Sequence, residues 1–141
     1  MTQNQSGLLL EIPRHGTYRV TQVVLDVNGT LCLDGELVPG VREALGQLAE
    51  KLAVHLITAD THGTMGQVQQ ELAINIQRLT RGPDEAEQKL LLVRQLGADC
   101  TVVVGNGAND ALMLKEAAIG IAVLGPEGLG RVCIPLSTGV S

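Results

Sequence analysis

The chain is nearly devoid of aromatic side chains: Tyr18 stands alone, with no Phe and no Trp among 141 residues. Its core therefore has to be built from Leu, Val, Ile and Ala, and hydrophobic residues supply 45% of the sequence. Branched aliphatic strands without large rings suit a parallel sheet covered on both faces by helices. The same lack removes the stacking platforms on which single strands of nucleic acid are held. A formal net charge of −5 speaks against a general basic patch. Nucleic acid is thus not an expected partner.

Cysteine is scarce and unpaired in pattern. Cys32, Cys100 and Cys133 are odd in number, with no CxxC and no Cys/His metal spacing. This excludes a disulfide framework and leads us to expect reduced, largely buried thiols in a cytoplasmic protein. Met1 to Ser6 is polar, has no signal-peptide pattern and reads as a disordered tail. No apolar run approaches the roughly 18 residues that would suggest a membrane helix, so no membrane is expected. The length fits one domain, and residues 1–141 show no repeat or linker.

What the chain does contain is alternation of strand-like and helix-like segments. Gly7 to Ile12 and Thr17 to Leu25 flank Pro13-Arg14-His15-Gly16 and predict an N-terminal β-hairpin, its first strand an antiparallel edge. His15 reads as a solvated turn residue. Asp34-Gly35 marks a tight turn. Pro39 opens a helix whose apolar face is Val41, Leu45, Leu48 and Leu52. Val54 to Thr58 is a strand, Met65 to Leu72 a helix, and Ile74 to Leu79 an exposed or edge strand. Asp84 caps a helix over Glu85 to Leu96, with Leu90, Leu91 and Val93 on its buried face and Gly97 ending it. Thr101 to Val104 is a strand. A helix from Asn109 or Asp110 runs through Ala117, and Gly120 to Leu124 is a last strand. The pattern specifies an α/β fold with a mostly parallel sheet.

One stretch carries chemistry. Val23-Val24-Leu25 is a buried-strand run that drives into Asp26, and Asn28-Gly29-Thr30 turns at once. In open α/β sheets ligands bind at the carboxyl ends of strands, where Asp26 falls. A carboxylate there can attack phosphorus or hold a cation. It can also simply cap the turn. Gly29 permits close approach of a ligand to the main chain.

Three further segments follow in order: Leu56-Ile57-Thr58-Ala59-Asp60, then Lys89, then Val104-Gly105-Asn106-Gly107-Ala108-Asn109-Asp110. Together the four resemble the motifs of the haloacid dehalogenase-like (HAD) superfamily of phosphatases and phosphoryl-transfer ATPases, in particular its soluble P-type-ATPase-like, capless members. The resemblance spans roughly residues 19 to 125. It implies a HAD-like Rossmannoid three-layer sandwich and a Mg²⁺-dependent phosphohydrolase acting on a phosphorylated small molecule or macromolecule. Asp26 would be the nucleophile, forming an aspartyl-phosphate. Thr58 and Ala59 would bind the phosphoryl group. Lys89, one of only three lysines, would offset charge on phosphate and Asp26. Asn109 would orient Lys89 or a ligand. Asp26, the Asn28 carbonyl and Asp110 would hold Mg²⁺, which prefers hard oxygen ligands.

The chain departs from the family twice. Asn28 stands where typical phosphatases carry the acid/base Asp, and an amide cannot relay a proton at neutral pH. Such a group is worth roughly 10²–10⁴-fold. Asn106 stands where the fourth motif normally has an acidic metal ligand. Asp34, Asp60 and His62 are candidate substitutes, each of which also reads as an ordinary loop residue. The gaps from Leu31 to Leu56 and from Ala59 to Gln88 leave no room for a cap or ATP-binding domain. Capless relatives act on large substrates or borrow a neighbouring subunit as a lid, which leaves room for a homo-oligomer. A different class of reading is a catalytically weak regulatory or binding module that keeps the phosphate site, in one version a partner of a transport ATPase.

Overall fold

A computed structural model describes residues 7–27, 31–33, 36–58, 74–80, 82–106 and 110–123. The expected helix over Met65 to Leu72 and the segment after residue 123 lie outside them. Five strands form the central sheet: β3 (Gln22–Asp26), β6 (Ala53–Thr58), β7 (Asn75–Arg78), β8 (Thr101–Gly105) and β9 (Ile119–Ala122). Their order is β7-β6-β3-β8-β9 and every pairing is parallel. Among the described residues the α-helices are α1 (Val41–Ala49), α2 (Glu85–Leu96) and α3 (Ala111–Glu116). Among the described residues no helix is long and apolar enough to cross a membrane.

The strand order decides where a ligand can sit. From β3 the chain steps outward to β6 and β7, then returns across the sheet to β8 and continues to β9. The order reverses between β3 and β8, and that is where crevices open at the carboxyl edge of such sheets. Right-handed crossovers send helices to opposite faces when the direction of travel changes. The core divides accordingly. Val23, Leu25 and Val27 pack with Leu45 on the α1 face. Val24 packs with Leu92, Val93, Met113 and Leu114 on the α2/α3 face. Strand alternation places Asp26 on the same face as Val24.

The N-terminal hairpin is present as β1 (Leu8–Ile12) and β2 (Gly16–Val20), paired antiparallel from Leu8↔Val20 to Ile12↔Gly16. It is a separate two-stranded sheet and not an edge of the main one. The Thr17 to Leu25 run is broken at Thr21, whose N–H donates to the Cys100 carbonyl and whose own carbonyl accepts from Ala53 N–H. Leu8, Leu10, Ile12 and Tyr18 pack on the α1-side core, which accounts for the alternating burial along β1. His15 lies in the hairpin turn, half-buried. A second small hairpin, β4 (Cys32–Leu33) with β5 (Glu36–Leu37), flanks the Asp34-Gly35 signal.

Several local expectations are corrected. Helix α1 begins at Val41 because Gly40 adopts a left-handed conformation with φ 89, so Pro39 precedes the helix rather than opening it. Asp84 occupies the N-cap position of α2 without a side-chain capping bond. The buried face of α2 is Lys89, Leu92 and Val93, whereas Leu91 is 56% exposed. A short 3₁₀ turn at Ala98–Cys100 leads into β8. Strand β9 ends at Ala122. Cys100 is a free, half-buried thiol that donates to the Gly97 carbonyl at 3.3 Å. The Cys32 side chain and Cys133 lie outside the described residues.

Candidate active site

Four buried polar side chains gather at the carboxyl edge. Asp26 ends β3, Thr58 ends β6, Lys89 projects from α2 and Asp110 precedes α3; their exposures are 8%, 3%, 5% and 0%. Polar groups are rarely buried unless they are paired or used. Register brings the two strand ends level: Asp26 pairs with Ile57, one residue before Thr58. The Val27 N–H continues the ladder to the Ile57 carbonyl, carrying β3 one residue past Asp26.

Lys89 joins the carboxylates. Its Nζ lies 2.6 Å from Asp110 Oδ1 and 3.6 Å from Asp26 Oδ1. The sequence alone allowed an ordinary solvated lysine here, but Lys89 shares the inward stripe of α2 with Leu92, Val93 and Leu96, at spacings of three, four and seven residues. That position on the apolar stripe is the signal that a plain motif comparison passes over.

Asp110 is fully committed. Oδ1 takes the Lys89 ammonium and Oδ2 accepts the Asn106 backbone N–H at 3.1 Å. Gly105 makes room for it: a Cβ there would stand 2.8 Å from the Asp110 carboxyl carbon. This use of the Asn106 main chain was not legible in advance, since any residue supplies a backbone N–H. Asp26 is held less tightly. Burial, and after it the charge of Asp110, pushes its carboxyl up to about 7, against the opposing pull of Lys89 and the Val27 N–H. Burial alone would lower the Lys89 ammonium. Its hydrogen bond to Asp110 and the charges of Asp26, Asp110 and Glu85 outweigh that and hold it above the usual lysine value.

The donor set suits a hard cation. Two carboxylates face one ammonium, and Mg²⁺ is a cation that takes one or two carboxylates and keeps several waters. Asp26, with the looser contact, is the better direct ligand, and Asp110, with both oxygens engaged, is better suited to act through water. Asn28, Ala59, Asp60, His62, Asn109 and Asp34 lie outside the described residues.

Residues 4–118 match the family of haloacid dehalogenase-like hydrolases. Over 134 residues the chain is 27% identical to the chloroplastic copper-transporting ATPase PAA1 of Arabidopsis thaliana, covering 91% of this chain and 14% of the ATPase. It is 41% identical over 39 residues to a short uncharacterised protein of Methanocaldococcus jannaschii, covering 28% of this chain and 89% of that one. Among solved structures, a putative HAD family hydrolase from Streptomyces avermitilis superposes with a TM-score of 0.56 at 19% identity, covering 74% of this chain and 71% of that one. The 3-deoxy-D-manno-octulosonate 8-phosphate phosphatase of Moraxella catarrhalis, solved with magnesium and phosphate ions, gives 0.54 at 21% identity, covering 74% and 67%. At these identities the two structures share the α/β fold.

Proposed function

The chain belongs to the haloacid dehalogenase-like hydrolase family, and we propose that within it the protein is a Mg²⁺-dependent phosphohydrolase that works through an aspartyl-phosphate on Asp26. An Asp26 oxygen attacks the phosphorus of a monoester, the P–O bond to the alcohol breaks and the departing oxygen takes a proton from solvent; water, giving up a proton to solvent, then attacks the phosphorus of the acyl phosphate, releasing phosphate and restoring Asp26. Lys89 balances charge on the phosphoryl oxygens and the nucleophile. The Thr58 hydroxyl and the Ala59 main chain hold the phosphoryl group, and Asn109 orients Lys89 or the ligand. Asp26, the Asn28 carbonyl and Asp110 would hold Mg²⁺, whose charge when bound favours transfer. Asn28 supplies no proton relay to either half-reaction, and hydrolysis of the aspartyl-phosphate is slow.

The observation that supports this most is the Lys89 ammonium set between the Asp26 and Asp110 carboxylates in a buried cluster at the sheet's switch point. Isolated buried charges are costly, and a cluster of this kind is a common mark of a working site. The fold neighbour from Moraxella catarrhalis, with its bound magnesium and phosphate, is consistent with it. The substrate is a phosphorylated small molecule or macromolecule. We place the protein in the cytoplasm, where a large substrate or a second copy covers the capless site.

One observation favours a regulatory module instead. With its carboxyl pushed up to about 7, metal-free Asp26 is only partly ionised at neutral pH. Likeness to a transport ATPase lends this version a natural partner class. Hydrolysis of p-nitrophenyl phosphate, with and without Mg²⁺, separates the two. Metal-dependent turnover in the wild type that Asp26→Asn abolishes supports the enzyme. Metal-dependent binding of beryllium fluoride without turnover supports the module, and neither result would overturn both.

A further inference from the structure

The Gln88 side chain makes three hydrogen bonds, none of which belongs to the cluster described above. Its Oε1 accepts the Thr80 backbone N–H at 3.1 Å, and its Nε2 donates to the Thr80 carbonyl at 2.8 Å and to Asp84 Oδ1 at 3.2 Å. A donor and an acceptor on one backbone residue fix which way the amide faces. Thr80 lies just after β7, and its neighbour Leu79 donates its N–H to the Thr58 carbonyl at 2.9 Å. A short segment is therefore tied at one end to Thr58 and at the other to the residue before Lys89.

We propose that Gln88 is a positioning residue that couples Thr58 to Lys89 through the Leu79–Thr80 segment. Successive residues on a helix point about 100° apart. Lys89 fixes α2 toward Asp26 and Asp110, and Gln88 fixes it toward the end of β7. The two tethers point in different directions and, together with the buried Leu92 and Val93, set the rotation of α2 about its axis. The rotation matters because Lys89 Nζ stands within 4 Å of two carboxylates at unequal distances. A swing of about 1 Å at a reacting group can cost on the order of 10²-fold in rate. The inference rests on the phosphohydrolase reading.

The test replaces Gln88 by Met, which keeps length and removes both polar atoms, with Gln95→Met on the exposed side of α2 as control. Turnover of p-nitrophenyl phosphate with Mg²⁺ and amide hydrogen exchange at Leu79 are measured together. The expected result for Gln88→Met is a kcat lower by about tenfold, with KM within about twofold, faster exchange at Leu79 and no change in the control. A helix merely loosened overall would instead lower the melting temperature and speed exchange throughout α2. An unchanged kcat, or slower turnover without faster exchange at Leu79, overturns the proposal. A wild type that neither turns over nor binds beryllium fluoride would sink the phosphohydrolase reading itself, a separate and recognisable result.

Discussion

Lys89 stands 2.6 Å from Asp110 and a full ångström farther, 3.6 Å, from Asp26. The lysine is thus anchored on one carboxylate and offered to the other. Removing it leaves Asp110, which is fully buried, without its cation. Breaking a buried pair in this way costs about 3–5 kcal/mol. Lys89→Met should lower unfolding free energy by that amount in denaturant titrations. The double variant Lys89→Met with Asp110→Asn should recover much of the stability and none of the activity. Equal losses for the single and double variants would show that the pair does not act as a unit.

The pH dependence of stability follows from Asp26. Its folded pKa, about 7, lies above the ordinary value of 3.8, mainly because burial disfavours the charge. Between those values the folded chain binds more protons than the unfolded chain, so stability falls as pH rises. The contribution is complete below about pH 4 and lost above about pH 7. Unfolding measured in a chelator from pH 4.5 to 8 should therefore show a downward slope that Asp26→Asn flattens. At pH 8 the Asn variant should be the more stable by a few kcal/mol. Mg²⁺ should lessen that difference by binding the ionised carboxylate of the wild type.

Gly105 and Asp110 make a second close relationship. Because a Cβ on Gly105 would meet the Asp110 carboxyl group, Gly105→Ala forces that group away from Lys89 or bends the strand end. Overpacking of this kind costs about 1–3 kcal/mol. Turnover should fall by more than the stability loss alone explains, because Asp110 sets where Lys89 sits. Retention of full activity in a stable Gly105→Ala protein would contradict the role given to Asp110.

Helix α2 shows how far the sequence could be read. Its ends, Glu85 and Leu96, follow from the break at Gly82-Pro83 and from Gly97, and both stand in the structure. Its inward face does not follow as easily. Leu90, Leu91, Leu92 and Val93 are consecutive and apolar, so periodicity leaves the rotation of the helix open by one position. Lys89 decides it: with the ammonium facing the carboxylates, Leu92 turns inward and Leu91 outward. Leu92→Ala should then cost about 2–5 kcal/mol, whereas Leu91→Ala should stay within about 0.5 kcal/mol. The reverse order in chemical denaturation would mean a different rotation and a Lys89 that faces elsewhere.

The site was legible to a similar degree. Asp26 and Thr58 stand at strand ends, where an α/β sheet puts its chemistry, and the motif order singled out Lys89 and Asp110. That Asp110 spends both oxygens inside the protein, on Lys89 and the Asn106 N–H, depends on three-dimensional closure between β8, α2 and α3. The break at Thr21 and the late start of α1 depend on backbone hydrogen bonding and on the φ of Gly40, and residue type only weakly foretells either.

Covalent chemistry at Asp26 leaves a phosphoenzyme that can be sought directly. With Asn28 in place of an acid/base Asp, the acyl phosphate should persist long enough to trap. The protein is mixed with a phosphate ester and Mg²⁺, quenched in acid, reduced with borohydride and digested for mass spectrometry. The expected result is reduction of the Asp26 side chain to the corresponding alcohol, dependent on substrate and metal. Phosphate release with Asp26 unmodified at every quench time, or with the label at Asp110 instead, would contradict it.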